Sequence, residues 1–263
     1  MYRDIVHLGP ITIRSYGVAL VLAFVLAAWL LYRRAPRFGI PSAFVPEFVQ
    51  VALIAGVLGA RVMYVVAHWG DFAAEPWHAL AIWEGGLTYY GGFILAAVAA
   101  IWWGRRRGID ALTVGDLLSP AVALGEGIGR IGCFFNGCCF GRPTSVPWAV
   151  RFPPGSYADS VLGAVPVHPS QLYQSAWGLA VFGFLLAMGV PNRRGTVFWT
   201  FLIVLPLGRA VLDQFRWYDP ESCVTVGGAT IPVSSIIAMG LVLVGVVGYA
   251  VGRGRPRASA EAA

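Results

Sequence analysis

Three arginines occupy positions where arginine is rare: Arg61, Arg130 and Arg209 each lie inside a different long apolar segment. An arginine at membrane depth costs at least about 2.5–3.5 kcal/mol on insertion scales, so it normally faces the interior of a helix bundle and has a partner there. All 19 Lys+Arg residues are arginine, so the placement of these three is more informative than their type. Guanidinium groups match phosphate oxygens, and the three together predict a site for an anionic phosphate group.

Two of these arginines have an acidic residue four positions away. Because residues four apart share one face of a helix, the spacing predicts two ion pairs, Glu126 with Arg130 and Arg209 with Asp213. The sequence around Arg130 is rich in glycine, which would let a neighbouring helix or an extended ligand approach the backbone. Small-residue helix packing is the alternative. Packing accounts for the glycines but not for Arg130 or the polar Asn136, so this segment predicts a functional site.

A polar segment, residues 168–173 (HPSQLY), opens the fifth apolar stretch. Pro169 and Ser170 are typical of a helix start, and that structural role explains both of them. His168 and its neighbours Gln171 and Tyr173 stay available to point inward. Structural and functional interpretations both remain open for this segment.

A second short motif, Tyr90-Gly91-Gly92, stands at the start of the third apolar stretch. Interfacial tyrosines usually belong to an aromatic belt. The paired glycines indicate close backbone approach instead. Both interpretations remain open for this motif.

The composition identifies the class of protein. The chain has 263 residues, of which 57% are hydrophobic and 12% charged, and its mean hydropathy is +0.69. These values predict an all-α polytopic membrane protein with about seven transmembrane helices, with six or eight as alternatives. Each apolar segment is near the ~20 residues that cross a bilayer as helix. The predicted spans are 16–35, 44–68, 87–104, 115–132, 170–190, 196–215 and 230–252.

Arginines in the connecting segments predict the orientation. Eleven arginines follow the odd-numbered spans, five lie in the alternate segments, and three lie within the membrane. By the positive-inside rule the N-terminus is outside and the C-terminus cytoplasmic, as an odd number of spans requires. The net charge of +6 therefore reflects orientation, and no nucleic-acid partner is predicted.

The chain reads as one membrane domain, 1–252, followed by a disordered cytoplasmic tail, 253–263. Residues 1–15 predict a small interfacial hairpin. An outer loop, 133–169, contains two β-like stretches, Trp148–Phe152 and Val165–His168. We therefore expect a small outward-facing loop/β head on the helices.

All four cysteines fall on the outer side in this topology, where disulfides persist. One disulfide bracing the outer loop is predicted, with free buried thiols and a catalytic thiol as alternatives. The C-x4-C-C spacing lacks the paired arrangement of zinc sites, so no metal site is predicted. The cysteines are Cys133, Cys138, Cys139 and Cys223.

Taken together, these segments resemble the prolipoprotein diacylglyceryl transferase family over most of the chain. The glycine-arginine stretch around Arg130 and the 168–173 segment are the most specific parts. The matching segments are Gly9-Pro10, Ser15-Tyr16-Gly17, Gly59-Ala60-Arg61 with Tyr64, Tyr90-Gly91-Gly92, Asp116, Gly129-Arg130-Ile131-Gly132, Asn136-Gly137, Gly141-Arg142, residues 168–173, and Arg209 with Asp213 and Arg216.

The resemblance implies a reaction at the bacterial cytoplasmic (inner) membrane. A diacylglyceryl group passes from phosphatidylglycerol to the lipobox cysteine of a preprolipoprotein signal peptide, and glycerol phosphate is released. No cofactor is implied. The catalytic residues implied are Arg130, Arg209, His168, Tyr90 and Asp213, and the phosphatidylglycerol-binding residues are Arg130, Arg61, Tyr16, Asn136, Gly91 and Gly92.

Three positions depart from the family pattern. Members often carry Asn at position 133, Glu at 138 and His at 90, where this chain has Cys133, Cys138 and Tyr90. The remaining candidates for the general base are His168, Tyr90 and Asp213. Two alternative functions follow: a divergent member that uses another lipid or acceptor, or an organic-anion transporter.

Overall fold

The computed structural model describes residues 4–8, 11–73 and 75–252. The predicted Gly9-Pro10 turn and the predicted disordered tail lie outside these residues. The described chain is mostly helical, with seven long α-helices where the seven apolar segments were predicted. The helices are α1 (Ser15–Arg34), α2 (Val45–Ala67), α3 (Trp69–Phe72), α4 (Tyr89–Arg106), α5 (Ala111–Asn136), α6 (Tyr157–Leu162), α7 (Ser170–Ala187), α8 (Thr196–Leu212) and α9 (Val233–Val251).

Five helical stretches among the described residues are long and apolar enough to cross a membrane. They are Ser15–Phe38, Ser42–Ala67, Ala111–Asn136, Thr196–Phe215 and Val233–Val251. Large apolar side chains also point outward from these helices, for example Val21, Ile54 and Leu243, each more than 60% exposed. Such surfaces suit lipid rather than water, so the chain is an integral membrane protein.

The described chain divides into two compact units. The first unit combines the described parts of Met1–Leu30 and Gly115–Ala263, and the second is Leu31–Val114. The single membrane domain over 1–252 stays a prediction.

Two antiparallel hairpins belong to the first unit. The predicted N-terminal hairpin is confirmed as β1 (Asp4–Leu8) paired with β2 (Ile11–Arg14). The second hairpin, β3 (Cys223–Val226) with β4 (Ala229–Pro232), was not predicted. Its two-residue turn is Gly227-Gly228, and both glycines have positive φ, as a primed hairpin turn requires.

The outer loop differs from its prediction. The predicted strands at 148–152 and 165–168 are wrong, because Val167 makes only isolated bridges, to Pro143 and Val150. Prolines at 147, 153, 154, 166 and 169 remove backbone donors, so a ladder cannot extend through this segment. The loop is held by a small apolar core and by the short helix α6. That core consists of Phe140, Phe152, Ala158 and Val167.

The interior of the first unit is built from α5, α7 and α8. Its buried cluster contains Ala123, Val181, Leu185, Val197 and Phe201. At Gly127 and Gly178 the backbones of α5 and α7 approach closely, and a Cβ atom on Gly178 would stand 3.1 Å from the Gly127 nitrogen. Small residues at such crossings are the usual packing device of membrane helices.

A buried carboxylate anchors the start of α8. Asp116 is fully buried and accepts hydrogen bonds from the backbone N–H of Gly195 at 2.8 Å and of Phe198 at 3.0 Å. The first N–H groups of a helix have no intrahelical partner, and a negative charge there also favours the helix dipole. Asp116 therefore connects α5 to α8 inside the first unit.

The second unit is organised around the pair α2 and α4. Gly59 and Gly91 face each other across this pair, and a Cβ atom on either would overlap the carbonyl oxygen of the other. A Cβ atom on Gly92 would stand 2.9 Å from the Gly56 oxygen. The predicted close backbone approach at Gly91 and Gly92 is therefore present, and the approaching partner is helix α2.

Candidate active site

Two of the intramembrane arginines share one carboxylate. Oε1 of Glu126 accepts from Arg130 Nε at 2.8 Å and from Arg130 Nη2 at 2.7 Å. The same oxygen lies 3.6 Å from Nη1 of Arg209, which α8 carries. The predicted ion pair between Glu126 and Arg130 is confirmed, and Arg209 joins it from a different helix.

The charges of this cluster, Glu126-Arg130-Arg209, do not cancel. Two guanidinium groups and one carboxylate leave one net positive charge, in side chains only 13–28% exposed. Coulombic attraction in such a setting is much stronger than in water. A singly charged phosphodiester complements both the charge and the donor geometry of the cluster.

The predicted ion pair between Arg209 and Asp213 is wrong. Asp213 begins a 3-10 turn after the last residue of α8, so the i, i+4 alignment of an α-helix does not hold there. Instead its Oδ2 accepts from Ser234 Oγ at 2.9 Å and from Ser235 Oγ at 3.0 Å, at the start of α9. Its Oδ1 is buried and has no hydrogen-bond partner among the described residues.

This network extends to Tyr218. The Tyr218 hydroxyl and Ser234 Oγ are 2.8 Å apart. Burial raises the pKa of the Tyr218 hydroxyl above its ordinary value, so the phenol stays neutral. Asp213, Ser234, Ser235 and Tyr218 thus tie the end of α8 to the start of α9.

Tyr16 and Asn136 lie at the α5 end of the site. Tyr16 of α1 packs against Gly132, where a Cβ atom would stand 3.2 Å from its ring. The Tyr16 hydroxyl is within electrostatic range of Arg130. Asn136 is the last residue of α5, and its side chain is hydrogen-bonded to the Cys138 thiol.

His168 is held by aromatic neighbours. Its Nδ1 lies 3.2 Å from the Tyr173 hydroxyl, which accepts a hydrogen bond from Trp148 Nε1 at 2.6 Å. Phe215 also packs edge-on against the ring at 5.3 Å.

The predicted disulfide is wrong, because all four cysteines are free thiols. Three of them, Cys133, Cys138 and Cys139, lie together where α5 ends. Hydrogen bonds from the Cys133 and Cys138 thiols lower the pKa of the Cys139 thiol, and the positive charge of Arg216 acts in the same direction.

Arg61 has a full set of partners in the second unit. Its Nε donates to Ala79 O at 2.8 Å, its Nη1 donates to Gly85 O at 2.6 Å and Gly86 O at 3.2 Å, and its Nη2 donates to His78 O. These carbonyls belong to the segment that precedes α4. Arg61 therefore anchors this segment and replaces its missing helical hydrogen bonds. Tyr90 lies in the same unit, with its side chain 48% exposed.

Comparison with known proteins settles the family. The profile of the prolipoprotein diacylglyceryl transferase family matches residues 3–251. The chain belongs to this family. It is 33% identical over 248 residues to the phosphatidylglycerol–prolipoprotein diacylglyceryl transferase of Vibrio atlanticus, covering 92% of this chain and 88% of the relative. It is 35% identical over 247 residues to the Vibrio cholerae protein of the same name, covering 91% and 87%.

Membership of the prolipoprotein diacylglyceryl transferase family confirms the resemblance drawn from the sequence. These relatives are bacterial proteins, and their names are those of transferases. The chain is therefore a transferase rather than an organic-anion transporter.

The sequence did not predict the contacts of some residues at the site. Glu126 was predicted as the partner of Arg130 alone, and its contact with Arg209 depends on two helices meeting. Ser234 and Ser235 gave no signal, because hydroxyl residues at a helix start are common. The buried Ser170 and Gln171 were open to a structural role, and the structure gives them one: Ser170 Oγ donates to Cys139 O at 2.9 Å, and Gln171 Nε2 donates to Cys138 O at 2.8 Å.

Proposed function

We propose that this protein transfers the diacylglyceryl group of phosphatidylglycerol to the lipobox cysteine of preprolipoproteins, the first step of lipoprotein maturation. The observation that supports this most directly is the Glu126-Arg130-Arg209 cluster, a net positive, poorly exposed phosphate-binding arrangement in a chain of this family.

The reaction places negative charge where the arginines are. The acceptor thiolate attacks the glyceryl carbon, a C–S bond forms and the C–O bond to phosphate breaks. The singly charged phosphodiester becomes a glycerol phosphate with two negative charges. Because this charge grows along the reaction, fixed guanidinium groups stabilise the transition state more than the bound substrate. Arg130 and Arg209 provide that stabilisation.

We assign the head-group site to the first unit. Arg130 and Arg209 bind the phosphate, and Tyr16 and Asn136 border it at the end of α5. Arg61 is left out of this set, because its guanidinium donors are taken by backbone carbonyls. Gly91 and Gly92 are left out as well, since α2 occupies their open face. His168, Tyr90 and Asp213 stay as predicted candidates for accepting the thiol proton.

The membrane arrangement completes the proposal. All seven long helices cross the inner membrane, with the N-terminus outside and the C-terminus in the cytoplasm. Phosphatidylglycerol enters from the bilayer, and the signal peptide reaches the site from the outer side. The arginine-rich segments after α1, α4 and α7 support this orientation.

The first test is transfer in vitro. Purified protein in detergent is given phosphatidylglycerol and a fluorescent lipobox peptide, and the adduct is read by mass. We expect Arg130→Ala to lower the rate by at least about 10²–10³, the cost of removing one donor to a developing anion. Arg193→Ala is the matched control, because Arg193 is an exposed arginine in the α7–α8 connection.

Either clear outcome is informative. Full activity of a folded Arg130→Ala variant would overturn the site assignment. If wild-type protein gives no adduct with phosphatidylglycerol but does with another phospholipid, the chain is a divergent member. The changes at Cys133, Cys138 and Tyr90 would then be the positions to exchange first.

A further inference from the structure

The three thiols at the end of α5 form a compact group. The Sγ atoms of Cys133, Cys138 and Cys139 all lie within 4.8 Å of one another. Cys133 is in the last turn of α5, and the other two follow the helix end directly. All three are half-buried. The three cysteines, five and one positions apart in sequence, thus place three sulfur atoms around one point.

The backbone around Cys139 holds the three thiols together. Cys139 has φ of 59°, and it is the one non-glycine residue with positive φ in the described chain. Such a conformation is strained for a non-glycine residue and persists only where the surroundings enforce it. Here Gln171 holds the carbonyl of Cys138, Ser170 holds that of Cys139, and Cys138 N–H bonds to Cys133 O at 3.2 Å.

Positive charge adjoins the group on two sides. Arg130 precedes Cys133 by three residues on α5, and Arg216 acts electrostatically on Cys139. Arg216 Nε is also buried without a hydrogen-bond partner among the described residues. Because Arg130 is paired with Glu126, Arg216 is the guanidinium group available to balance negative charge that develops on the sulfur atoms.

We propose that Cys133, Cys138 and Cys139 bind a single thiophilic metal ion, Cu(I) in preference to Zn²⁺. Thiolates are soft ligands that select such ions. Structural Zn²⁺ sites use four protein ligands, whereas Cu(I) accepts a trigonal thiolate set, and no fourth His, Cys, Asp or Glu joins the group within the described chain. Three thiols release three protons on binding, and the resulting Cu(I) complex has charge −2, part of which Arg216 offsets.

The test measures metal binding without reference to catalysis. Reduced protein is titrated anaerobically with Cu(I) against a chromophoric Cu(I) chelator, and in parallel with Zn²⁺ against a zinc dye. We expect one Cu(I) per chain. C133S/C138S/C139S should lose this binding, and a single Cys139→Ser should weaken it more than about 100-fold, since losing a ligand exceeds the 10–100-fold cost of losing an outer partner.

Cys223→Ser is the matched control, because Cys223 is a free thiol in β3 outside the group. It should bind Cu(I) as the unmodified chain does. Gln171→Ala tests the positioning role and should weaken binding by about 10–100-fold.

A second measurement needs no variant. Alkylation of the wild-type protein, read by peptide mass, should show three thiols protected by Cu(I) and Cys223 modified. Alkylation of all four thiols in the presence of bound Cu(I) would overturn the proposal. So would tighter binding of Zn²⁺ than Cu(I), or a disulfide among the three cysteines in protein kept anaerobic throughout.

Discussion

Glu126 stands between two guanidinium groups that would otherwise repel each other. Its Oε1 contacts Arg130 at 2.7 Å and Arg209 at 3.6 Å, so one oxygen sets the spacing of two arginines on different helices. In a setting with so little exposure, an uncompensated pair of like charges would move apart or draw in another anion. Glu126 is therefore a positioning residue for the phosphate site rather than a group that reacts.

Glu126→Gln tests this role. We expect kcat for transfer to fall about 100-fold, because a displacement of about 1 Å from the reactive geometry lowers the rate by about that factor. KM for phosphatidylglycerol should not rise, since the site gains a positive charge. Steady-state kinetics over a lipid titration separate the two effects.

The control for this variant is Glu221→Gln, which removes an exposed carboxylate from a 3-10 turn in the same unit. An unchanged kcat in Glu126→Gln, or a raised KM with kcat intact, would contradict the positioning role.

Helix packing explains which glycines matter. Gly59 and Gly91 allow α2 and α4 to approach at backbone distance, and any side chain there meets a carbonyl. Gly240 in α9, by contrast, has open space around its Cα among the described residues. The same residue type is required at one crossing and dispensable at another position of the membrane helices.

Gly59→Ala should therefore destabilise the protein by about 1–3 kcal/mol, the usual cost of overpacking. Gly240→Ala should be neutral or stabilise by up to about 1 kcal/mol, because alanine is the better helix former. Thermal unfolding of detergent-solubilised protein, followed by intrinsic tryptophan fluorescence, measures both. Equal midpoints for the two variants would contradict the packing argument.

The number of crossings is a property of the whole molecule. Five helical stretches of the described chain are long and apolar enough for a span, and α4 and α7, each 18 residues long, are not among them. If α7 does not cross, the α7–α8 connection lies on the same side as the outer loop. If α4 does not cross, the segment between α2 and α4 lies on the opposite side from the outer loop.

Protease sites inserted into the full-length chain decide between these topologies. We expect a protease added to spheroplasts to cut sites after Gly155 in the outer loop and after Glu75 between α2 and α4, and to spare a site after Asn192 in the α7–α8 connection. The chain is exposed at all three positions, so a difference in cleavage reports the side of the membrane. Lysed cells provide the cleavage control. Cutting after Asn192, or no cutting after Glu75, in intact spheroplasts would contradict seven crossings.

The sequence by itself determined the class of protein, the position of the long helices and the family. It could do so because apolar runs of about 20 residues indicate membrane helices, and because an i, i+4 pair such as Glu126 and Arg130 depends only on the geometry of one helix. Local turn chemistry likewise predicted the first hairpin.

Only the tertiary structure decided which residues meet from different elements. It brought Arg209 to Glu126, turned Asp213 toward the serines of α9, assigned Arg61 to backbone carbonyls and gathered three thiols around one point. The physical reason is that helical spacing constrains contacts within one helix only. A partner on another helix depends on crossing and rotation, which are set by the packing of the whole fold.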